Sequence, residues 1–250
     1  MQFIVAHDYE DLSRRAARVL ADLLGSLPKP VIVLPTGNTP LGMYRELLKL
    51  ALVDKVIFSG AGFIQLDEYA SIDEDDWRSL AGWLRRSFLD DANISPGSVT
   101  NFRSSAPDGA MEASRMERAI GTAGEIDISV LGIGLNGHIG FNEPGSAADS
   151  PTRIVQLTPQ SIRSNAEYWG SEAAVPRQAY TLGLGTLSRA RRTLLLVSGA
   201  AKAQILHAAM EGSVTPQVPA TFLRQLQNVT VIADREAVAL LGREGGPRPC

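Results

Sequence analysis

Apolar residues in this chain fall into short, nearly unbroken runs, separated by stretches in which they recur every three to four positions. The runs Val31-Ile-Val-Leu34, Phe63-Ile-Gln-Leu66, Ile126-Asp-Ile-Ser-Val-Leu131, Arg153-Ile-Val-Gln-Leu157, Thr193-Leu-Leu-Leu-Val197 and Val229-Thr-Val-Ile232 predict strands, and a first strand is expected from residue 2. Leu12, Ala16, Val19, Leu20 and Leu23 share one face of an early helix, and Trp77, Leu80, Leu84 and Phe88 space another. Helical patterns also cover 41–51 and the region near 200–211. Strands alternating with helices in this way predict an α/β fold: a doubly wound, mostly parallel sheet with helices on both faces. No internal repeat and no linker rich in Pro, Gly or Ser divides the chain. A single domain over 1–241 is expected, and 242–250, with its GGPRP stretch, reads as a disordered tail.

Composition narrows the classes of function. At 250 residues the chain can bury roughly three quarters of its unfolded surface without staples. A net charge of -3 with both signs scattered argues against a nucleic-acid partner, while a small anionic substrate needs only a local basic pocket. The single Cys, Cys250, excludes an internal disulfide and a Cys-based metal cage. The opening MQFIVAHDYEDL lacks the basic and apolar regions of a signal peptide, and no run approaches the roughly 18 apolar residues of a membrane span. A cytoplasmic protein without a membrane partner is expected.

Three loops that follow predicted strands carry unusual polarity. In Leu34-Pro-Thr-Gly-Asn-Thr-Pro40, two hydroxyls, a Gly and a helix start can cradle an anion, since free N–H groups and the helix dipole favour phosphate there. The same residues also suit a simple capped turn with Thr39 as N-cap and Pro40 following. In Asp67-Glu68-Tyr69, adjacent carboxylates at a strand end can supply a general base and a structural partner, or merely cap the next helix. The short acidic run Asp73 to Asp76 reads as a solvated helix start.

The third loop, GIGLNGHIGFNEP from Gly132 to Pro144, is the most informative. Gly132, Gly134 and Gly137 formally match a dinucleotide fingerprint, but that motif needs a helix opening at the third Gly and an acid about 20 residues on. Pro144 interrupts such a helix, and Leu157 stands where the acid belongs. The loop offers instead Asn136, His138 and Glu143, a set in which the carboxylate can fix the imidazole tautomer. His7 and His207 have no such company, and one His with scattered carboxylates falls short of a metal-ligand pattern.

Taken together, these loops resemble the glucosamine-6-phosphate deaminase (isomerase) family, related to the 6-phosphogluconolactonases. The motifs are LPTGNTP at 34–40, LDEY at 66–69, GIGLNGHIGFNEP at 132–144 and Gly199-Ala-Ala-Lys202, spread over roughly 1–236. The resemblance implies a Rossmann-like fold that holds no nucleotide. It implies aldose–ketose isomerisation with deamination of an amino-sugar 6-phosphate, glucosamine 6-phosphate giving fructose 6-phosphate and ammonia, with neither cofactor nor metal. The family's enolisation base falls on Asp67, the residue assisting ring opening on His138, and the carboxylate orienting it on Glu143. Thr36, Gly37, Asn38 and Thr39 match the loop that holds the substrate by its phosphate, with Lys202 as a charged partner.

Two departures from the family stand out. Asn136 occupies a position where many members carry Asp, and Glu167 falls where the glucosamine enzymes have a phosphate-gripping arginine. Arg163, one helical turn earlier, could take over that grip if the segment is helical. Some hexameric relatives bind an activator through basic residues near Arg153. Here Val155 replaces the second of them, so allostery is not expected, and a monomer or a homo-oligomer remain open. A galactosamine-6-phosphate deaminase giving tagatose 6-phosphate and a 6-phosphogluconolactonase are the alternatives. A lactonase needs no C2 base and no Phe141-Asn-Glu-Pro144 continuation, and a sugar-phosphate sensor has little use for Asp67, His138 and Glu143 together.

Overall fold

The computed structural model describes residues 1–53 and 58–242. Among them ten strands are interspersed with seven α-helices: β1 (Gln2–Ala6), α1 (Tyr9–Ser26), β2 (Val31–Leu34), α2 (Asn38–Val53), β3 (Gly62–Gln65), β4 (Asp67–Tyr69), α3 (Leu80–Leu84), β5 (Val99–Thr100), α4 (Gly109–Ala123), β6 (Ile128–Gly132), β7 (Arg153–Gln156), α5 (Pro159–Trp169), β8 (Gln178–Thr181), α6 (Leu184–Leu187), β9 (Arg192–Val197), α7 (Ala203–Glu211) and β10 (Val229–Asp234). Seven strands form one sheet in the order β1-β10-β9-β6-β2-β3-β5, and every pairing in it is parallel. The predicted doubly wound sheet is therefore the core of the molecule.

Its strands are apolar on both sides because both sides are covered. Ile32, Leu34, Phe63, Ile128, Leu194 and Ile232 face Leu12, Leu20, Tyr44 and Leu47 of α1 and α2. The alternate residues Val31, Val33, Ile64, Leu131, Leu195 and Val231 face Met116 and Ile120 of α4 and Leu206 and Ala209 of α7. Strand period and helix period thus agree on where the core lies.

A second, three-stranded antiparallel sheet, β4-β8-β7, stands beside the first. Residues 63–69, expected to form one strand, are split at Leu66: the part before it joins the large sheet, and Asp67–Tyr69 pairs with β8. Tyr69, Phe141, Leu157, Ile162, Trp169 and Ala179 make a separate small core between this sheet and α5. Edge contact of Tyr69 with Trp169, ring centres 5.0 Å apart, seats the helix end.

Three local expectations shift. Trp77, predicted on a buried helix face, is 65% exposed; the helix starts only at Leu80, after the Ser79 cap, and its last turn, Arg85–Leu89, is π-helical. The acidic run 73–76 is a turn ahead of that helix, with Asp76 bound to Arg78 at 2.6 Å, and not its first turn. Helix α2 begins at Asn38, so Thr39 and Pro40 lie inside its first turn and Thr39 is no N-cap. Of the expected tail, 243–250 lie outside the described residues.

Candidate active site

The strand order reverses between β2 and β6. From β2 the chain runs outward to β3, whereas β6 is followed on its other side by β9. Open α/β sheets place ligands beyond the carboxyl ends of strands at such a point. The loops that leave β2, β3, β6 and β9 there carry nearly all the predicted site residues.

After β2 the backbone turns at Gly37, whose φ of 98° suits only glycine, and enters α2 directly. Tyr44 fixes the approach by donating to Pro35 O at 2.6 Å, and Tyr9 fixes the helix start by donating to Asn38 O at 2.7 Å. Thr36 and Thr39 are half-buried, and Gly37 and Asn38 are exposed at the rim. The hydroxyls and the first N–H groups of α2 form a polar rim of the kind that receives anions.

Beyond β3, the two adjacent acids face opposite ways. Glu68 is saturated: it accepts from the backbone of Tyr69, Leu80 and Ala81 and from Gln65 Nε2, at 2.8–2.9 Å. It thereby holds the start of α3. Asp67 is 8% exposed, yet its Oδ1 has no hydrogen-bond partner. Burial first, and the neighbouring Glu68 charge second, push its carboxyl up to about 7. Such a carboxylate gains from releasing or accepting a proton near neutrality.

The loop after β6 forms turns and no helix, closed by a bridge between Ile139 and Asn142. Asn136 works in both directions, accepting from His138 N at 3.1 Å and donating to Glu143 Oε2 at 2.8 Å. His138 Nδ1 lies 3.6 Å from Glu143 Oε2 and 3.5 Å from Ser161 Oγ. Burial works to raise the Glu143 carboxyl, but the polar hydrogens of His138, Ser161 and Asn136 outweigh it and hold it down at about 2. The His138 ring rests on Gly134, where any Cβ would enter the imidazole. Gly140, with a φ of 57°, lies against β4 and β8; a Cβ there would meet Thr181 Oγ1 at 2.8 Å and Asp67 Oδ2 at 3.4 Å.

Thr181 joins the two halves. It stands opposite Asp67 in the β4–β8 register, and its hydroxyl accepts from Phe141 N at 3.1 Å. Asn142 adds a bond from its side chain to Leu182 O at 2.8 Å. Arg153 clamps the loop from outside, donating to Asn142 Oδ1 and Ser146 Oγ at 2.8 and 2.9 Å. From the β9 side, Lys202 follows a turn tied by Gly199 N to Asp234, and its Nζ donates to Ile133 O at 2.8 Å. Burial pushes the Lys202 ammonium down from its ordinary value.

The fold thus brings Asp67, Asn136, His138, Glu143 and Lys202 onto one end of the sheet, beside the 36–39 loop. Arg163 is placed differently. It is exposed on α5, roughly 200° round the helix from Ser161, which faces His138. Glu167 is exposed on the same helix. Thr158, Ser161 and Thr181 also reach the site, though no motif in the sequence singles them out for it. Thr158-Pro159 carried a usable signal, since Thr followed by Pro marks a helix start, and the structure has Thr158 as the N-cap of α5. Thr181 had none, because β8 lies far along the chain from the loops it joins. Among the described residues no group of three or more His, Cys, Asp or Glu is placed to hold a metal ion, and no helix is long and apolar enough to cross a membrane.

Comparison with known proteins places the whole chain. The chain is 37% identical over 244 residues to glucosamine-6-phosphate deaminase of Thermoanaerobacter sp. (strain X514), covering 98% of this chain and 96% of the relative. It is 38% identical to glucosamine-6-phosphate deaminase 1 of Bacillus subtilis (strain 168), covering 96% and 99%. Among solved structures, a monomeric glucosamine-6-phosphate deaminase superposes with a TM-score of 0.94 at 38% identity, covering 96% of this chain and all of that one. A 6-phosphogluconolactonase from Trypanosoma cruzi superposes at 0.74 with 22% identity over 96% of each chain, which shows a shared fold only. The sequence model of glucosamine-6-phosphate isomerases/6-phosphogluconolactonase matches residues 7–232, and the chain belongs to that family.

Proposed function

We propose that this enzyme converts glucosamine 6-phosphate and water to fructose 6-phosphate and ammonia. The observation that carries the reading is the contrast between Asp67 and Glu143: one buried carboxylate without a partner, one saturated beside an imidazole, both at the switch point. A lactone hydrolysis has no use for the first of these. The relatives with high identity over nearly the whole chain are named for the glucosamine substrate, which favours it over the galactosamine epimer.

In this reading His138, oriented by Glu143 and Asn136, moves a proton at the ring oxygen so that the sugar opens to its aldehyde. Asp67 takes the proton from C2 and returns it at C1, which leaves an iminium at C2. Water adds there, and the C2–N bond breaks to release ammonia. Thr36, Gly37, Asn38 and Thr39 hold the phosphate with the first N–H groups of α2, and Lys202 adds positive charge. Each placed acid or base contributes on the order of a hundred- to ten-thousand-fold. Arg163, on the face of α5 turned away from Ser161, is proposed as a further phosphate contact only through a shift of that helix toward the bound substrate. Arg163→Ala is expected to raise KM severalfold, and an unchanged KM removes it from the site.

The purified protein is incubated separately with glucosamine 6-phosphate, galactosamine 6-phosphate and 6-phosphogluconolactone, while ammonia and acid are followed. Fastest ammonia release from glucosamine 6-phosphate is expected. Faster release from the galactosamine epimer moves the assignment to that substrate. No ammonia from either amino sugar defeats it, and acid from the lactone alone replaces it. A cytoplasmic location and a monomer are proposed with it, the latter because the relative superposing at 0.94 is described as monomeric. Sedimentation as a 26.8 kDa species is the check on the second.

A further inference from the structure

The imidazole–carboxylate pair is not held by its own loop alone. His138 Nδ1 lies 3.6 Å from Glu143 Oε2 and 3.5 Å from Ser161 Oγ, so the ring reaches the carboxylate and the hydroxyl at about equal range. The space beside them is occupied by two hydroxyls from the first turn of α5. Thr158 Oγ1 donates to Glu143 Oε2 at 3.2 Å, and Thr158 N approaches Glu143 Oε1 at 3.5 Å. Ser161 Oγ lies 3.5 Å from His138 Nδ1 and 3.3 Å from Thr158 Oγ1. Ser161 is buried, and Thr158, half-buried, is the N-cap of the helix.

We propose that Thr158 and Ser161 are positioning residues, a hydroxyl chain running from His138 Nδ1 to Glu143, so that the seating of α5 sets which nitrogen of His138 carries the proton. Each hydroxyl holds one proton and can accept at its lone pairs. A ring donating from Nδ1 toward Ser161 is answered by a hydroxyl proton directed onward to the Glu143 carboxylate. Nε2 is then left as the proton-accepting nitrogen. Asn136 is engaged elsewhere, its Oδ1 by the His138 backbone and its amide by Glu143. The helix does not need Ser161 for its cap, which Thr158 supplies through Ser161 N at 3.2 Å. The side chain of Ser161 is therefore free to serve the ring.

The kinetic part rests on the proposed deamination; the tautomer part does not. Three variants separate positioning from helix capping. Thr158→Gly keeps an acceptable N-cap but removes the hydroxyl, Thr158→Ser restores it, and Ser161→Ala leaves the cap alone. Thr158→Gly and Ser161→Ala are expected to lower kcat by about tenfold with KM changed less than about twofold, and Thr158→Ser to stay within about twofold of the parent. Proton–nitrogen correlation spectra of the imidazoles are expected to show His138 protonated at Nδ1 in the parent and mixed tautomers in Thr158→Gly and Ser161→Ala. If the parent releases no ammonia, the deamination reading fails and the spectra alone decide the positioning role. An unchanged His138 tautomer in Ser161→Ala and Thr158→Gly, or an unchanged kcat in an active enzyme, overturns the proposal and leaves the two residues as helix caps. Ser161→Ala serves alone should Thr158→Gly fail to fold.

Discussion

Asp67 and Glu143 are the same functional group in nearly the same burial, 8% and 6% exposed, yet their proton affinities are driven in opposite directions. Burial acts on both to raise the carboxyl. Around Glu143 an amide, two hydroxyls and an imidazole supply enough polar hydrogens to reverse it; around Asp67 no partner meets Oδ1, and a second carboxylate lies next in the chain. Depth alone does not assign a role. The count of hydrogen-bond donors does, and it separates an acid able to exchange a proton near neutrality from one that stays charged.

The largest test of that contrast is Asp67→Asn, expected to lower kcat by about a thousandfold or more, since among the described residues no other buried carboxylate has an oxygen without a partner. Its stability should move the other way. A raised carboxyl costs the fold nothing below its ordinary 3.8, and the cost grows as pH climbs through about 7. At about pH 8 the variant is therefore expected to be more stable than the parent by about 1–3 kcal/mol, and equal at low pH, in denaturant unfolding.

Glu143→Gln comes next, with kcat down about a hundredfold. Because the Glu143 carboxyl is held down at about 2, its contribution to stability is present above the ordinary 4.5 and lost as pH falls through about 2. The variant should be less stable at neutral pH by roughly 2 kcal/mol, with the gap closing in acid. Opposite signs in these two unfolding experiments are the signature of the contrast; equal signs would break it. A third measurement is the pH profile of kcat/KM, which should rise with pH and reach half its plateau near about 7 as Asp67 loses its proton, with no limb from Glu143 above about 3. The smallest effect is expected from Thr181→Val. It leaves Phe141 N without its acceptor at a cost of about 1–2 kcal/mol, and a severalfold fall in kcat would show that the two halves share one support.

The large sheet was legible because its strands are covered on both faces. Runs such as Val31–Leu34 and Thr193–Val197 are strands in any reading. The helices α1, α2 and α7 followed from apolar spacing. The small sheet was not legible: β4 has three residues, too few to show a period, and the Leu66 break falls inside an apolar run. Helix α4 and strand β8 went unassigned, and Trp77 misled because it continues a helical spacing into a turn. At the site, side chains clustered in one loop could be grouped by sequence, as with Asn136, His138 and Glu143. Partners supplied from distant segments, Thr158, Ser161 and Thr181, depend on the packing of α5 and the register of β8, which no local pattern encodes.

That register has a consequence of its own. In a strand as short as β4, sliding one residue along β8 would exchange Asp67 for Glu68 at the face that meets Gly140. Such a slip would strand the backbone donors of Leu80 and Ala81, which now end on Glu68, at about 1–3 kcal/mol apiece. Glu68 therefore works as an address, proofreading the alignment of its strand: the acid fixed in place decides which acid is presented.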